Sequence, residues 1–143
     1  MRIAFARLLV TGCLLAGCSA GVQSRDTSAA ELERALVERP VPEIMAARAL
    51  VRDVARGCEG VALHPVLEPR IDVIRRTRKP EFDAITSGSV IGAARPFSAA
   101  FDRRHGQAFK LLTRRGPPPP DLCRAARAEA GEPGLMGLML VRT

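Results

Sequence analysis

Tryptophan and tyrosine are absent, and five phenylalanines make up the whole aromatic complement of 143 residues. Stacking platforms for sugars or bases are therefore scarce, and no nucleic-acid partner is expected, since such binding interleaves aromatics with a basic stripe. The chain also lacks the run of about 20 apolar residues that a transmembrane helix needs. Its one candidate, residues 8–15 preceded by Ile3, Ala4, Phe5 and Ala6, is soon followed by Ser19, Gln23, Ser24, Arg25 and Asp26. Phosphate loops, dinucleotide fingerprints and the strained G-x-S-x-G elbow are missing. Two histidines, His64 and His105, stand far apart in sequence and in different elements, and nothing around them has metal-ligand spacing. No metal, no cofactor and no catalytic residue set is expected.

What is present begins at the N-terminus. Arg2 and Arg7 give a positive leader, the apolar stretch follows, and Leu15-Ala16-Gly17-Cys18 closes it. This tetrapeptide resembles the lipobox of bacterial lipoproteins. The resemblance implies that the Cys18 thiol takes a diacylglyceryl group and that residues 1–17 are cut away as a signal peptide. Cysteine is needed there because a thiolate is the nucleophile that forms the thioether. Val10-Thr11-Gly12-Cys13 is a weaker second match, which would leave a shorter apolar segment. Two or three acyl chains hold a protein stably to a bilayer, so the expectation is a membrane-anchored protein that does not span. In lipoproteins an aspartate after the cysteine commonly retains the product at the inner membrane; Ser19 in that place favours the outer membrane, with the domain facing the periplasm.

Removing residues 1–17 leaves 126 residues, of which 18–27 read as a flexible tether and 28–143 as a single helical domain. The mature chain keeps 20 basic against 15 acidic residues, a net charge of +5. That favours acidic partners such as anionic head groups or an envelope protein, although 20 of the 22 basic residues in the full chain are arginine, and solvated charge is the plainer reading. Of four cysteines, Cys13 leaves with the signal and Cys18 carries the lipid. Cys58 and Cys123 remain. In an oxidising compartment two leftover cysteines most simply pair, which the chain-entropy model values at about 4 kcal/mol. A pair of buried free thiols is the alternative.

Along the domain, Ser28-Ala29-Ala30-Glu31 has capping-box spacing and predicts a first helix that ends before Pro40. Pro42 opens a second, in which Ile44, Ala47, Val51, Val54, Ala55 and Cys58 recur at helical spacing until Gly57 and Gly60 stop it. Residues 61–69 read as a loop, and 69–77 as a short helix burying Ile71 and Ile74. Pro80 restarts the chain, with Phe82 and Ile85 on one face. Gly88 and Gly92 either allow close helix approach or break the element. Ser98 predicts the cap of a fourth helix with Phe97, Phe101, His105, Ala108, Phe109 and Leu112 on one face, stopped by Gly116. The four prolines at 117–120 form a stiff connector, Asp121 caps a last helix carrying Leu122, Cys123, Ala126 and Ala130, and residues 131–134 kink or end it. The apolar segment 135–141 is read as bundle packing. The whole is an all-α bundle of four to five short helices, stapled by one disulfide.

Val41-Pro42-Glu43-Ile44, a helix ending at Cys58, a basic helix running to Gly116, and Asp121-Leu122-Cys123 with Ala125, Arg127 and Glu129 resemble a family of small exported bacterial helical proteins of unknown function with two cysteines. The resemblance covers residues 40–143, departs at Gly131-Glu132-Pro133, and implies a helical, disulfide-bonded domain. Two arginine clusters, Arg75 with Arg76 and Arg103 with Arg104, are the candidate contacts for an acidic partner. The functional expectation is therefore an interaction module rather than an enzyme. Two alternatives stand beside it: a small periplasmic enzyme or accessory using His105 and nearby arginines, and a periplasmic small-molecule binder with an apolar pocket among Phe82, Phe97, Phe101 and Phe109.

Overall fold

A computed structural model describes residues 20–106 and 117–143. The signal segment, Cys18 and Ser19, and the expected helical face at Ala108, Phe109 and Leu112 with its stop at Gly116 lie outside them. Among the described residues the chain runs through α1 (Ala20–Glu38), α2 (Val41–Gly57), β1 (Val61–Leu63), α3 (Leu67–Thr77), α4 (Lys79–Asp83), α5 (Ser87–His105), α6 (Pro120–Glu129), α7 (Leu135–Met139) and β2 (Leu140–Arg142). It is an all-α protein with one two-stranded sheet.

The centre is α2. Pro42 sits in its first turn, where a missing amide costs nothing, and Val41, Ile44, Ala46, Ala47, Leu50, Val51 and Val54 are buried along it. Its inward face touches α5, α7, β1 and α6, while α1 lies across α7 and α3. Leu32 and Leu36 of α1, Leu67, Ile71 and Ile74 of α3, Phe101 of α5 and Met139 of α7 complete one core. Ion pairs tie the layers together at the surface. Arg48 of α2 meets Glu68 of α3 with two nitrogens, and Arg70 of α3 reaches Glu33 of α1 at 3.0 Å. Ile71 and Ile74 are buried as their spacing requires.

Several boundaries differ from the sequence expectation. The helix expected from Ser28 starts at Ala20, so most of the stretch read as a tether is helical. The loop expected over 61–69 contains β1, antiparallel to β2, with Val61 opposite Arg142, Ala62 opposite Val141 and Leu63 opposite Leu140. Gly60, at φ 77°, supplies the turn that sends the chain from α2 into this pairing. The helix expected to be capped by Ser98 begins at Ser87. Its cap is Thr86, whose Oγ1 accepts from Ser89 N at 3.2 Å while Ser89 Oγ accepts from Thr86 N at 3.1 Å. Pro96 therefore lies inside a helix. It cannot donate to the Gly92 carbonyl, but Gly92 and Pro96 are both exposed, so water can reach that carbonyl.

Asp121 is not the cap of the last long helix. Pro119 occupies that place, Pro120 is the first helical residue, and Asp121 lies in the first turn paired with Arg124. The helix ends at Glu129, as the glycines and proline of 131–134 predict, with Gly131 at φ 83° and Gly134 at φ 130°. The following turn folds α7 tightly back: a β-carbon on Gly137 would lie 2.3 Å from the Glu132 carbonyl oxygen. The apolar segment 135–141 is packed rather than displayed, with Leu135, Met136, Leu138, Met139 and Leu140 buried.

Candidate functional site

Cys58 follows the last turn of α2 and Cys123 lies in the first turns of α6; both face inward and are joined by a disulfide, with Cα atoms 5.2 Å apart. The bond closes a loop of 65 residues and pins α6 against α2. Around the staple residue Cys123, the inward face of α6 runs Leu122, Ala125, Ala126 and then Glu129. Helical spacing thus drives a carboxylate into the core, where it is 1 % exposed.

A buried carboxylate requires compensation. Glu129 Oε2 lies 2.8 Å from His105 Nε2, and Oε1 lies 2.8 Å from Arg104 Nη2. The Arg104 contact is an ion pair at an angle outside hydrogen-bond geometry, so Oε1 accepts no hydrogen bond among the described residues. His105 is further held by Phe101, whose ring centroid is 4.7 Å away at a 47° tilt. Gly106, at φ 64°, ends α5 immediately after the histidine. The outer sides of Arg104 and His105 line an open cleft of about 480 Å3 together with Asp121, Arg124, Ala125 and Ala128. Each guanidinium in the cleft already faces a carboxylate, Arg104 on Glu129 and Arg124 on Asp121. The cluster holds the end of α5 to α6 and presents one imidazole edge toward the cleft.

The other sequence candidates fall elsewhere. Arg103 is exposed, next to Arg104 but without a carboxylate partner among the described residues. On α3, Arg76 is exposed and Arg75 lies over the Phe82 ring at 5.7 Å. The first cluster lies on α3, which packs against α1 and α4, and the second on α5, which packs against α2. His64 is not in the same cluster as His105. It is 6 % exposed, its backbone N donates to Met139 O at 2.8 Å, and burial lowers its pKa below the usual 6.5. Of the phenylalanines expected to line an apolar pocket, Phe101 is fully buried and Phe82 and Phe97 pack against the core, which makes them filling; Phe109 lies outside the described residues. Among the described residues no group of three or more His, Cys, Asp or Glu is placed to hold a metal ion.

Glu129 is the residue that reading the sequence missed. Its signal was present: it continues the i, i+3, i+4, i+7 face set by Leu122, Ala125 and Ala126. Comparison of the chain with protein-family models, characterised proteins and solved structures finds no match. The resemblances drawn at residues 15–18 and 40–143 rest on those residues.

Proposed function

We propose that this protein is a lipid-anchored lipoprotein of the bacterial envelope whose helical domain acts by contact rather than catalysis. The observation that carries the reading is the Cys58–Cys123 bond taken with the lipobox-like Leu15-Ala16-Gly17-Cys18. A disulfide between two buried helices belongs to an oxidising compartment, and export followed by lipid attachment at Cys18 delivers a chain there. Anchoring raises local concentration against neighbouring envelope components, so a modest interaction surface suffices. Ser19 after the cysteine favours the outer membrane, with the domain in the periplasm. The exposed Arg76 and Arg103, on different helices, are available to acidic groups of a head group or an envelope protein.

The test is the mass and location of the native product. Expressed in a bacterial host, the chain should fractionate with membranes and carry the mass of residues 18–143 plus a diacylglyceryl group. Cys18→Ser should shift it to the soluble fraction and stop the cleavage. An unmodified mass, or a soluble wild type, overturns the reading.

One observation favours a second reading, a small enzyme or accessory. Glu129 orients the His105 imidazole beside a cleft that also holds two arginines. An activity lost in His105→Ala and retained in Arg103→Ala would select it.

A further inference from the structure

The described residues contain a second cavity, of about 540 Å3, between the two-stranded sheet and α1. This falls within the roughly 300–1,000 Å3 of small-molecule sites. Ala29, Pro65, Val66 and Val141 give it apolar walls, and His64 and Arg142 are its nitrogen donors.

The two donors are fixed by the fold and not consumed by it. His64 Nδ1 accepts the backbone N–H of Val66 at 3.4 Å, which places the proton of the neutral ring on Nε2. That Nε2–H meets no acceptor among the described residues, although the side chain is more than nine-tenths buried and lines the cavity. The nitrogen is therefore a donor that opens on the cavity, and a ligand entering it can accept from that N–H. Arg142 is held on its other side. Its Nε donates to Arg127 O at 2.9 Å and its Nη2 to Ala128 O at 3.4 Å, capping the last carbonyls of α6. Nη1 has no hydrogen-bond partner among the described residues, and Thr143 shares the rim of the cavity with Arg142. An exposed guanidinium held in place by two backbone carbonyls beside an apolar hollow suits an anion with a hydrocarbon body.

We propose that this cavity binds a single-chain aliphatic carboxylate. The carboxylate is taken by Arg142, the chain lies against Ala29, Val66 and Val141, and His64 Nε2–H is the second donor open to the head group. The site does not depend on lipid anchoring, because its residues lie in the folded domain.

The test uses the full chain carrying Cys18→Ser, so that no covalently attached acyl group competes and failure of the anchor reading leaves the result intact. Calorimetric titration with decanoate, below its self-association concentration, should give saturable one-to-one binding. Hexanoate should bind more weakly, by about fourfold for each methylene removed, and decanol more weakly than decanoate. Arg142→Gln should weaken decanoate about tenfold and leave decanol unchanged. Since Arg142 also caps α6, Ala29→Leu serves as the second variant: it fills the hollow from α1, touches neither donor, and should abolish binding without lowering the unfolding temperature. Non-saturable heats, affinity independent of chain length, or full affinity retained in Ala29→Leu would overturn the proposal.

Discussion

Gly57 lies against Pro118 so closely that a β-carbon on the glycine would sit 2.3 Å from the proline Cδ. The contact joins the end of α2 to the proline connector, one residue before Cys58, and explains why the helix stops on a residue without a side chain. Gly57→Ala must push the connector away from the staple. It should destabilise the fold by about 1–3 kcal/mol, read as a lower unfolding temperature. An unchanged midpoint would show that the connector yields freely.

Peptide mapping of unreduced protein should recover Cys58 and Cys123 in one linked fragment. For a closed loop of 65 residues the chain-entropy model gives about 4 kcal/mol. Cys58→Ala with Cys123→Ala should lower the urea midpoint accordingly, and two separate peptides with free thiols would remove the staple from the account.

Around Glu129, removing the compensating charge should cost more than removing the buried one. Arg104→Met leaves a carboxylate that is 1 % exposed facing one fewer cation, whereas Glu129→Gln leaves a half-exposed guanidinium that water can solvate. Arg104→Met is therefore expected to be the more destabilising single variant, and the double variant to recover part of the loss. The coupling should lie within about 0.5–3 kcal/mol. Additive losses in chemical denaturation would mean that the ion pair contributes nothing.

Two acid-sensitive steps are expected in stability against pH. Burial lowers the His64 pKa below 6.5, so the unfolded chain binds that proton more tightly and stability falls as pH drops below about 6.5. Glu68 acts in the same direction at lower pH: the hydrogen bond from Arg48, foremost, holds its carboxyl below 4.5, so its contribution is present above that value and is lost below it. His64→Gln should flatten the upper step and Arg48→Met the lower. Urea titrations from pH 8 to 3 that show no upper step in the wild type would contradict the burial of His64.

Much of the core was legible because it rests on local periodicity. The α2 face, the burial of Ile71 and Ile74, and the inward placement of Cys123 follow from helical spacing, and Cys58, just past the end of α2, is buried as that spacing expects although its backbone is extended. What was not legible depends on distant or competing signals. Each strand has three residues, too few for alternation to show, and β1 finds its partner only at residue 140. Helix α5 was missed at its start because Gly88, Gly92 and Pro96 read as breakers, and because its capping box uses Ser89 where glutamate or glutamine is the familiar third residue. The breakers are tolerated on an exposed face where water can take the orphaned carbonyl. Similarly, the ion cluster at Glu129 joins residues 24 positions apart, and nothing near His105 in sequence announces its partner.

The staple's burial has a kinetic side. With Cys58 at 5 % and Cys123 at 8 % exposure, a small thiol cannot reach either sulfur until α6 lifts from α2. Reduction of the native protein should therefore saturate with reductant, at a speed set by the breathing of the helix pair, and the bond will outlast brief reducing episodes that would cleave a surface disulfide.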